Sequence, residues 1–214
     1  MYEHEIDAYF DDPARRAELV EHISRLVRIR SVREEARPGM PFGPGPAAAL
    51  AEALKLAGEL GMDVRNYENY VGTADLNDQE TALHILCHLD VVGEGTGWTV
   101  TEPYVPKEVD GMLYGRGTDD DKGPVAAVLL AMKAVRDLGL PLTANVRMIL
   151  GTDEESGSGD IAYYYSKEPY APYAFSPDAE FPLINIEKGS YKPVFTKTWA
   201  AESATPRVKE FHGG

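Results

Sequence analysis

The residues best suited to chemistry in this chain are one histidine and a series of carboxylates, placed at strand ends or directly before a helix. The stretch His84-Ile85-Leu86-Cys87-His88-Leu89-Asp90 ends in an imidazole and a carboxylate two positions apart. Side chains on a strand alternate faces, so His88 and Asp90 project to the same side. In a mostly parallel sheet both groups emerge at the carboxyl end, where open α/β sheets bind their ligands. A neutral imidazole is a good metal ligand, and a nearby carboxylate can orient it. Taken alone, a His-x-Asp triplet is as a rule a surface or helix-cap pair. The acidic sequence downstream changes that reading.

Three further acidic sites follow. Asp119-Asp120-Asp121 stands directly before a helix that begins at Pro124. One aspartate is enough to cap a helix and complement its dipole, whereas three repel one another, and a cation would offset the repulsion. The glycines of Gly115-Arg116-Gly117 do not form a phosphate loop, because no Gly-Lys-Ser/Thr follows. Glu154-Glu155 comes after a strand over 144–150. Adjacent side chains diverge, so one glutamate can bind metal while the other handles protons. Asp178 sits in a turn after a strand over 173–176. One histidine and several carboxylates at one sheet edge suit two divalent cations about 3.5–4 Å apart, sharing a bridging carboxylate and activating a water. Nitrogen and oxygen ligands without cysteine suit Zn2+ or Mn2+.

The elements that must position these groups alternate helix and strand. Leu19, Val20, Ile23, Leu26 and Val27 give an amphipathic helix over 13–30, with Pro13 at its start. Residues 31–46 are rich in Pro and Gly, either a connector or the rim of a binding cleft. A second helix spans 46–60 and stops at Gly61. Short strands near 62–68 and 71–76 precede a central strand over 82–89, apolar on both faces as in a covered parallel sheet. The long loop 91–117 contains a hairpin near 104–114 turning at Asp110-Gly111. A third helix covers 124–138, a short one 160–166, and a last strand begins near Lys192. Carboxylates after successive strands indicate an α/β architecture, a doubly wound, mostly parallel sheet with helices on both faces.

Composition narrows the partners. The chain has 214 residues and a net charge of −14. That acidity argues against nucleic acid and against an anionic membrane surface. A single cysteine, Cys87, excludes an internal disulfide and suits a reducing compartment. The acidic N-terminus lacks the basic and apolar regions of a signal peptide, and no apolar run approaches a membrane span. The expected location is the cytoplasm.

Set in order, the motifs resemble a known family. They are His88-Leu89-Asp90-Val91-Val92, Gly97-Trp98, Gly115 to Pro124, Asp153-Glu154-Glu155-Ser156-Gly157, Ser176-Pro177-Asp178-Ala179-Glu180-Phe181-Pro182, and Glu187-Lys188-Gly189. Their sequence along the chain is similar to that of the M20 family of metallopeptidases. The Asp-Asp-Lys-Gly-Pro and Pro-Asp-Ala-Glu-Phe-Pro forms, with Pro41 to Pro46, most resemble its PepV-type (Sapep) dipeptidases. The resemblance implies a zinc-peptidase-like catalytic domain and hydrolysis of dipeptides by a two-metal-activated water. It implies two divalent cations, Zn2+ first, with Mn2+ or Co2+ as alternatives. His88 and Asp178 would bind one metal, Asp120 would bridge, and Glu155 would bind the second. Asp90 would orient His88, and Glu154 would be the general base. Asp119 and Asp121 would be neighbours rather than ligands.

The resemblance also implies that 1–190 is the first catalytic segment and that 191–214 opens an inserted lid domain. On that reading the last histidine ligand lies beyond this chain, and His212 does not supply it. The substrate would be a small peptide. Two alternatives stand beside the dipeptidase: an N-acyl amino-acid deacylase of the same family, and a catalytically silent fragment that binds metal.

Overall fold

The computed structural model describes residues 2–179, 183–186, 189, 193, 194 and 196. Met1–Ala179 forms one compact unit, and all that follows concerns it. The strand expected near Lys192 and the lid segment 191–214 fall almost wholly outside the described residues, as do Glu180, Phe181, Pro182, Glu187, Lys188 and His212.

Local chemistry sets the helices. α1 (Glu3–Phe10) is a short N-terminal helix that buries no residue. The sequence gives no apolar stripe there, and Tyr9 ties the helix down by donating to Asp137 Oδ2 at 2.8 Å. α2 (Pro13–Val27) starts where Asp12 accepts from the Ala14 amide at 2.9 Å and Pro13 occupies the first turn. It ends three residues earlier than the apolar spacing alone suggests. α3 (Pro44–Glu59) ends at Leu60 and Gly61. Gly61 has φ +85°, and its missing Cβ leaves room for the Arg136 guanidinium, which donates to Leu60 O at 2.9 Å.

The strands are β1 (Asp63–Tyr67), β2 (Val71–Asp75), β3 (Thr81–His88), the hairpin pair β4 (Lys107–Val109) and β5 (Met112–Tyr114), β6 (Asn145–Gly151) and β7 (Tyr173–Phe175). α4 (Lys122–Asp137) lies between β5 and β6, and α5 (Gly159–Tyr165) between β6 and β7. Five strands form one sheet in the order β1-β2-β6-β3-β7. β1 and β6 are each antiparallel to β2, while β3 is parallel to both β6 and β7. Four of the five strands therefore run the same way, and β2 alone is reversed. β4 and β5 make a separate hairpin, shorter than expected, whose Asp110-Gly111 turn has positive φ at both positions.

Alternation along β6 divides the core between two faces. Met148 and Leu150 join Leu50, Ile85, Leu129 and Leu26 on the face covered by α2, α3 and α4. Ile149 points the other way, onto Tyr67, Val71 and Tyr164, where α5 covers the sheet. With both faces covered, these strands read as apolar runs. The long loop after Asp90 is held by Glu94, which accepts from Tyr104 Oη at 3.1 Å, while its carbonyl accepts from Trp98 Nε1 at 2.7 Å.

The register decides where the functional groups emerge. His88 pairs with Gly151, so β3 and β6 end side by side. β7 runs parallel to β3 and stops earlier, with Phe175 opposite Ile85, so the chain after it continues toward the same end of the sheet. Three segments, those after His88, after Gly151 and after Phe175, thus leave one edge of the sheet.

Leu129 is fully buried in the larger cluster, and Met112 is 62% exposed on the hairpin. Leu129→Ala should lower unfolding free energy by about 2–5 kcal/mol. Met112→Ala should change it by less than about 0.5 kcal/mol. Urea denaturation of both variants checks this division.

Candidate metal centre

His88 is the last residue of β3, buried, with both ring nitrogens engaged. Nδ1 lies 3.0 Å from the main-chain oxygen of Asp90 and 3.5 Å from Asp90 Oδ1. A proton on Nδ1 donates to this pair and leaves Nε2 as the outward lone pair. Nε2 faces Asp120 Oδ1 at 3.0 Å and Asp178 Oδ2 at 3.4 Å. Donor atoms of His88, Asp120 and Asp178 all lie within 4.8 Å of one another. The imidazole is buried, whereas the two aspartates are exposed, so the triad opens to solvent.

Asp120 belongs to the turn before α4. The Asp120–Asp121 peptide is cis. Asp121, expected to be a mere neighbour in the sequence, is fully buried and accepts from the His88 amide at 2.9 Å through Oδ2. Its Oδ1 has no partner among the described residues. Burial pushes the Asp121 carboxyl up to about 7, against the opposing pull of the His88 amide and ring. Lys122, also fully buried, donates to Ile29 O at 2.7 Å, and burial brings its amine down to about 7.

Glu154 and Glu155 start a 3-10 turn, Glu154–Ser156, three residues beyond β6. Their backbone amides both donate to Asp90, to Oδ1 and Oδ2 respectively, each at 3.1 Å. Asp90 thus touches His88 with one oxygen while its two oxygens hold the glutamate turn. Partial burial raises both glutamate carboxyls. Asp178 and Asp90 add to this at Glu154, Asp120 adds at Glu155, and the His88 ring opposes it at both. At His88 burial works to lower the pKa, but the hydrogen bond with Asp90 and the charges of Asp121, Asp90 and Asp178 outweigh it and raise it to about 10.

A metal fits this donor set. It offers one imidazole nitrogen and carboxylate oxygens, the ligand types of Zn2+ and Mn2+. Cys87, buried beside His88, has its thiol pushed well above the usual range by burial and by the neighbouring Asp121 and Asp178 carboxylates, so it offers no thiolate. Asp90, Asp120, Asp121, Glu154, Glu155 and Asp178 surround a single imidazole. That excess of negative charge calls for a cation.

The structure therefore brings His88, Asp90, Asp120 and Asp178 into direct contact, and it fixes Glu154 and Glu155 at the same edge through Asp90. Sequence reasoning missed the supporting groups. Arg33, in the Pro/Gly-rich loop, pairs with Asp153 Oδ1 and also donates to Ser156 O at 3.3 Å. That loop therefore reaches the glutamate turn and is more than a connector. Ser31 Oγ donates to Leu89 O at 2.6 Å. Asp160 is a further buried carboxylate behind the turn. The third aspartate of the 119–121 run was the one available signal; nothing local marks Arg33, which is 120 residues from its partner.

The chain is similar to known proteins in sequence and in fold. The family model for Peptidase family M20/M25/M40 matches residues 84–197. YtjP of Bacillus subtilis (provisionally named a dipeptidase) is 40% identical over 177 residues, 82% of this chain and 38% of that protein. The Beta-Ala-Xaa dipeptidase of Lactobacillus delbrueckii subsp. lactis is 34% identical over 185 residues, 86% of this chain and 39% of that protein. The crystal structure of human carnosine dipeptidase 1 superposes with a TM-score of 0.70 at 29% identity, over 83% of this chain and 41% of that one. The chain spans about two fifths of the length of these relatives.

Asp90→Ala would leave the Glu154 and Glu155 amides without acceptors. It should cost about 1–3 kcal/mol for each donor left buried and unpaired. Asp90→Asn keeps one acceptor oxygen and should cost less. Denaturant unfolding of the two variants beside wild type gives the comparison.

Proposed function

The chain belongs to peptidase family M20/M25/M40, and on that premise we propose that the protein hydrolyses the peptide bond of dipeptides with two divalent cations. The convergence of His88 Nε2, Asp120 and Asp178, with the Glu154-Glu155 turn held on Asp90, carries the reading. His88 and Asp178 would hold one cation, Asp120 would be shared, and Glu155 would hold the second. The cations, Zn2+ ahead of Mn2+ or Co2+, would polarise the scissile carbonyl and make a water more acidic.

Glu154 is the proton carrier in this scheme. It is free to act because its neighbour Glu155 takes the ligand role, and the backbone hydrogen bonds to Asp90 fix both. Glu154 takes a proton from water as the water oxygen bonds to the carbonyl carbon. It returns the proton to the amine nitrogen as the C–N bond breaks. A carboxyl raised above its usual range is suited to both halves of that transfer. Asp90 holds the Nδ1 side of His88, which leaves Nε2 for the cation.

The dipeptide substrate rests on the names of the relatives, since the site itself fits any small amide. Residues 1–190 would be the first catalytic segment, with 191–214 opening a lid. A reducing, cytoplasmic setting suits the lone buried thiol Cys87. Among the described residues no helix is long and apolar enough to cross a membrane. A second reading is that these 214 residues alone bind one cation and do not turn over. It is favoured by the donor set, which among the described residues comprises only His88, Asp120 and Asp178.

Turnover of a panel of dipeptides and matching N-acetyl amino acids, with Zn2+ or Mn2+, tests the proposal on the whole protein. Glu154→Gln should lower kcat by about 10²–10⁴-fold, the usual contribution of a general base, with metal content unchanged. Undiminished turnover removes Glu154 from the mechanism. Preference for the N-acetyl substrates makes the protein a deacylase. Titration of the 214-residue chain with Zn2+ separates one bound ion from two.

A further inference from the structure

Four consecutive amides at the end of β6 are divided between two buried carboxylates. Those of Glu154 and Glu155 go to Asp90. Those of Thr152 and Asp153 go to Asp160 Oδ2, at 2.5 and 3.0 Å. Asp160 lies in the first turn of α5 and is fully buried; its Oδ1 accepts from the Ile161 amide at 2.7 Å. It touches neither His88, Asp120 nor Asp178 through a hydrogen bond or ion pair. A second observation points to the same group. A Cβ on Gly151 would stand 2.6 Å from Asp160 Oδ2 and 3.3 Å from Cys87 O, so glycine at the end of β6 is what admits the carboxylate. The segment beyond is braced by the side chain of Asp153, whose Oδ2 accepts from the Gly159 amide at 3.1 Å and whose Oδ1 pairs with Arg33.

We propose that Asp160 is a positioning residue for the reaction, setting the path of residues 152–155 so that the Glu154 carboxylate reaches the reacting water. The inference rests on the proposed role of Glu154. Asp90 grips the turn from the metal side, and Asp160 grips the two preceding peptides from α5. With Asp160 gone, the Thr152 and Asp153 amides would lose their shared acceptor, leaving Asp90 and the Arg33–Asp153 pair to hold the turn, and Glu154 would gain freedom to swing while the His88 cluster stays in place. The effect is thus on the proton-transfer step and not on binding of substrate or of the first cation.

Kinetics of Asp160→Ala, Asp160→Asn and Gly151→Ala on the whole protein, beside Glu154→Gln, test this. Asp160→Ala should reduce kcat about 10–100-fold, the usual effect of losing a group that supports a metal site, with KM unchanged. Asp160→Asn should recover most of the loss, because its amide oxygen still accepts from Thr152 and Asp153. Gly151→Ala keeps every charge and displaces the carboxylate by its methyl group. It should mimic Asp160→Ala, and the double variant should be no worse than the poorer single one. Zn2+ affinity of the chain should be unaltered by Asp160→Ala. Should Asp160→Ala fail to fold, the kcat and Zn2+ affinity of Gly151→Ala decide the question. Wild-type kcat in both variants overturns the proposal. So does a joint loss of kcat, KM and Zn2+ binding, which marks a purely structural role. Full turnover in Glu154→Gln removes the mechanism on which the proposal stands, and that result is distinct from either.

Discussion

The site depends on one buried carboxylate. Asp90 is almost completely withdrawn from water, and an isolated charge so placed is costly unless hydrogen bonds compensate it. Its compensation comes from the Glu154 and Glu155 amides, with the His88 ring beside it. These contacts cross from the end of β3 to the end of β6. The group that aligns the imidazole therefore also sets where the two glutamates stand. Neither half of the site can move without disturbing the other.

That coupling is possible only because the sheet delivers its strand ends together. His88 and Gly151 are paired in a parallel ladder, so the segments that follow them leave the sheet at one level. β7 brings Asp178 to the same edge, and the turn into α4 brings Asp120. A shift of one residue in the β3–β6 register would turn His88 away from this edge, since side-chain direction alternates along a strand. Packing on both faces resists such a slip. Met148 and Leu150 are fixed in one cluster, and Ile149 in the other.

Much of this was legible in the sequence for a simple reason. Most of the residues that would touch metal or protons follow apolar strands, and apolar runs are the strongest local signal a chain carries. His88 and Asp178 follow such strands, Asp120 stands in the aspartate run before α4 and is picked out by the family resemblance, and the three converge. The helix, strand and hairpin positions followed from period, proline and glycine with errors of a few residues. The support of the site was not legible, because its partners are set by tertiary approach. Asp160 looks like an ordinary first-turn acid of a helix. Arg33 looks like a loop cation. Asp121 could have been suspected from its place in an aspartate run, but only the fold shows that it turns inward to the His88 amide. α1 was missed because its contacts are polar and it buries nothing.

The way the buried acids are compensated bears on what the site can hold. Asp90, Asp121 and Asp160 each take their hydrogen bonds from main-chain amides and not from an arginine or lysine side chain. Lys122, next to Asp121 in sequence, is turned away onto the carbonyl of Ile29. Arg33 stops at Asp153 and Ser156. Backbone dipoles stabilise a buried carboxylate without placing a fixed positive charge at the mouth of the site. A lysine or arginine in the same role would reach toward Asp120 and Asp178 and compete with a cation for them. With amides doing this work, the exposed carboxylates and the outward nitrogen of His88 keep their negative potential for a divalent ion. The acidity that would otherwise destabilise this edge of the sheet is the property that suits it to bind metal.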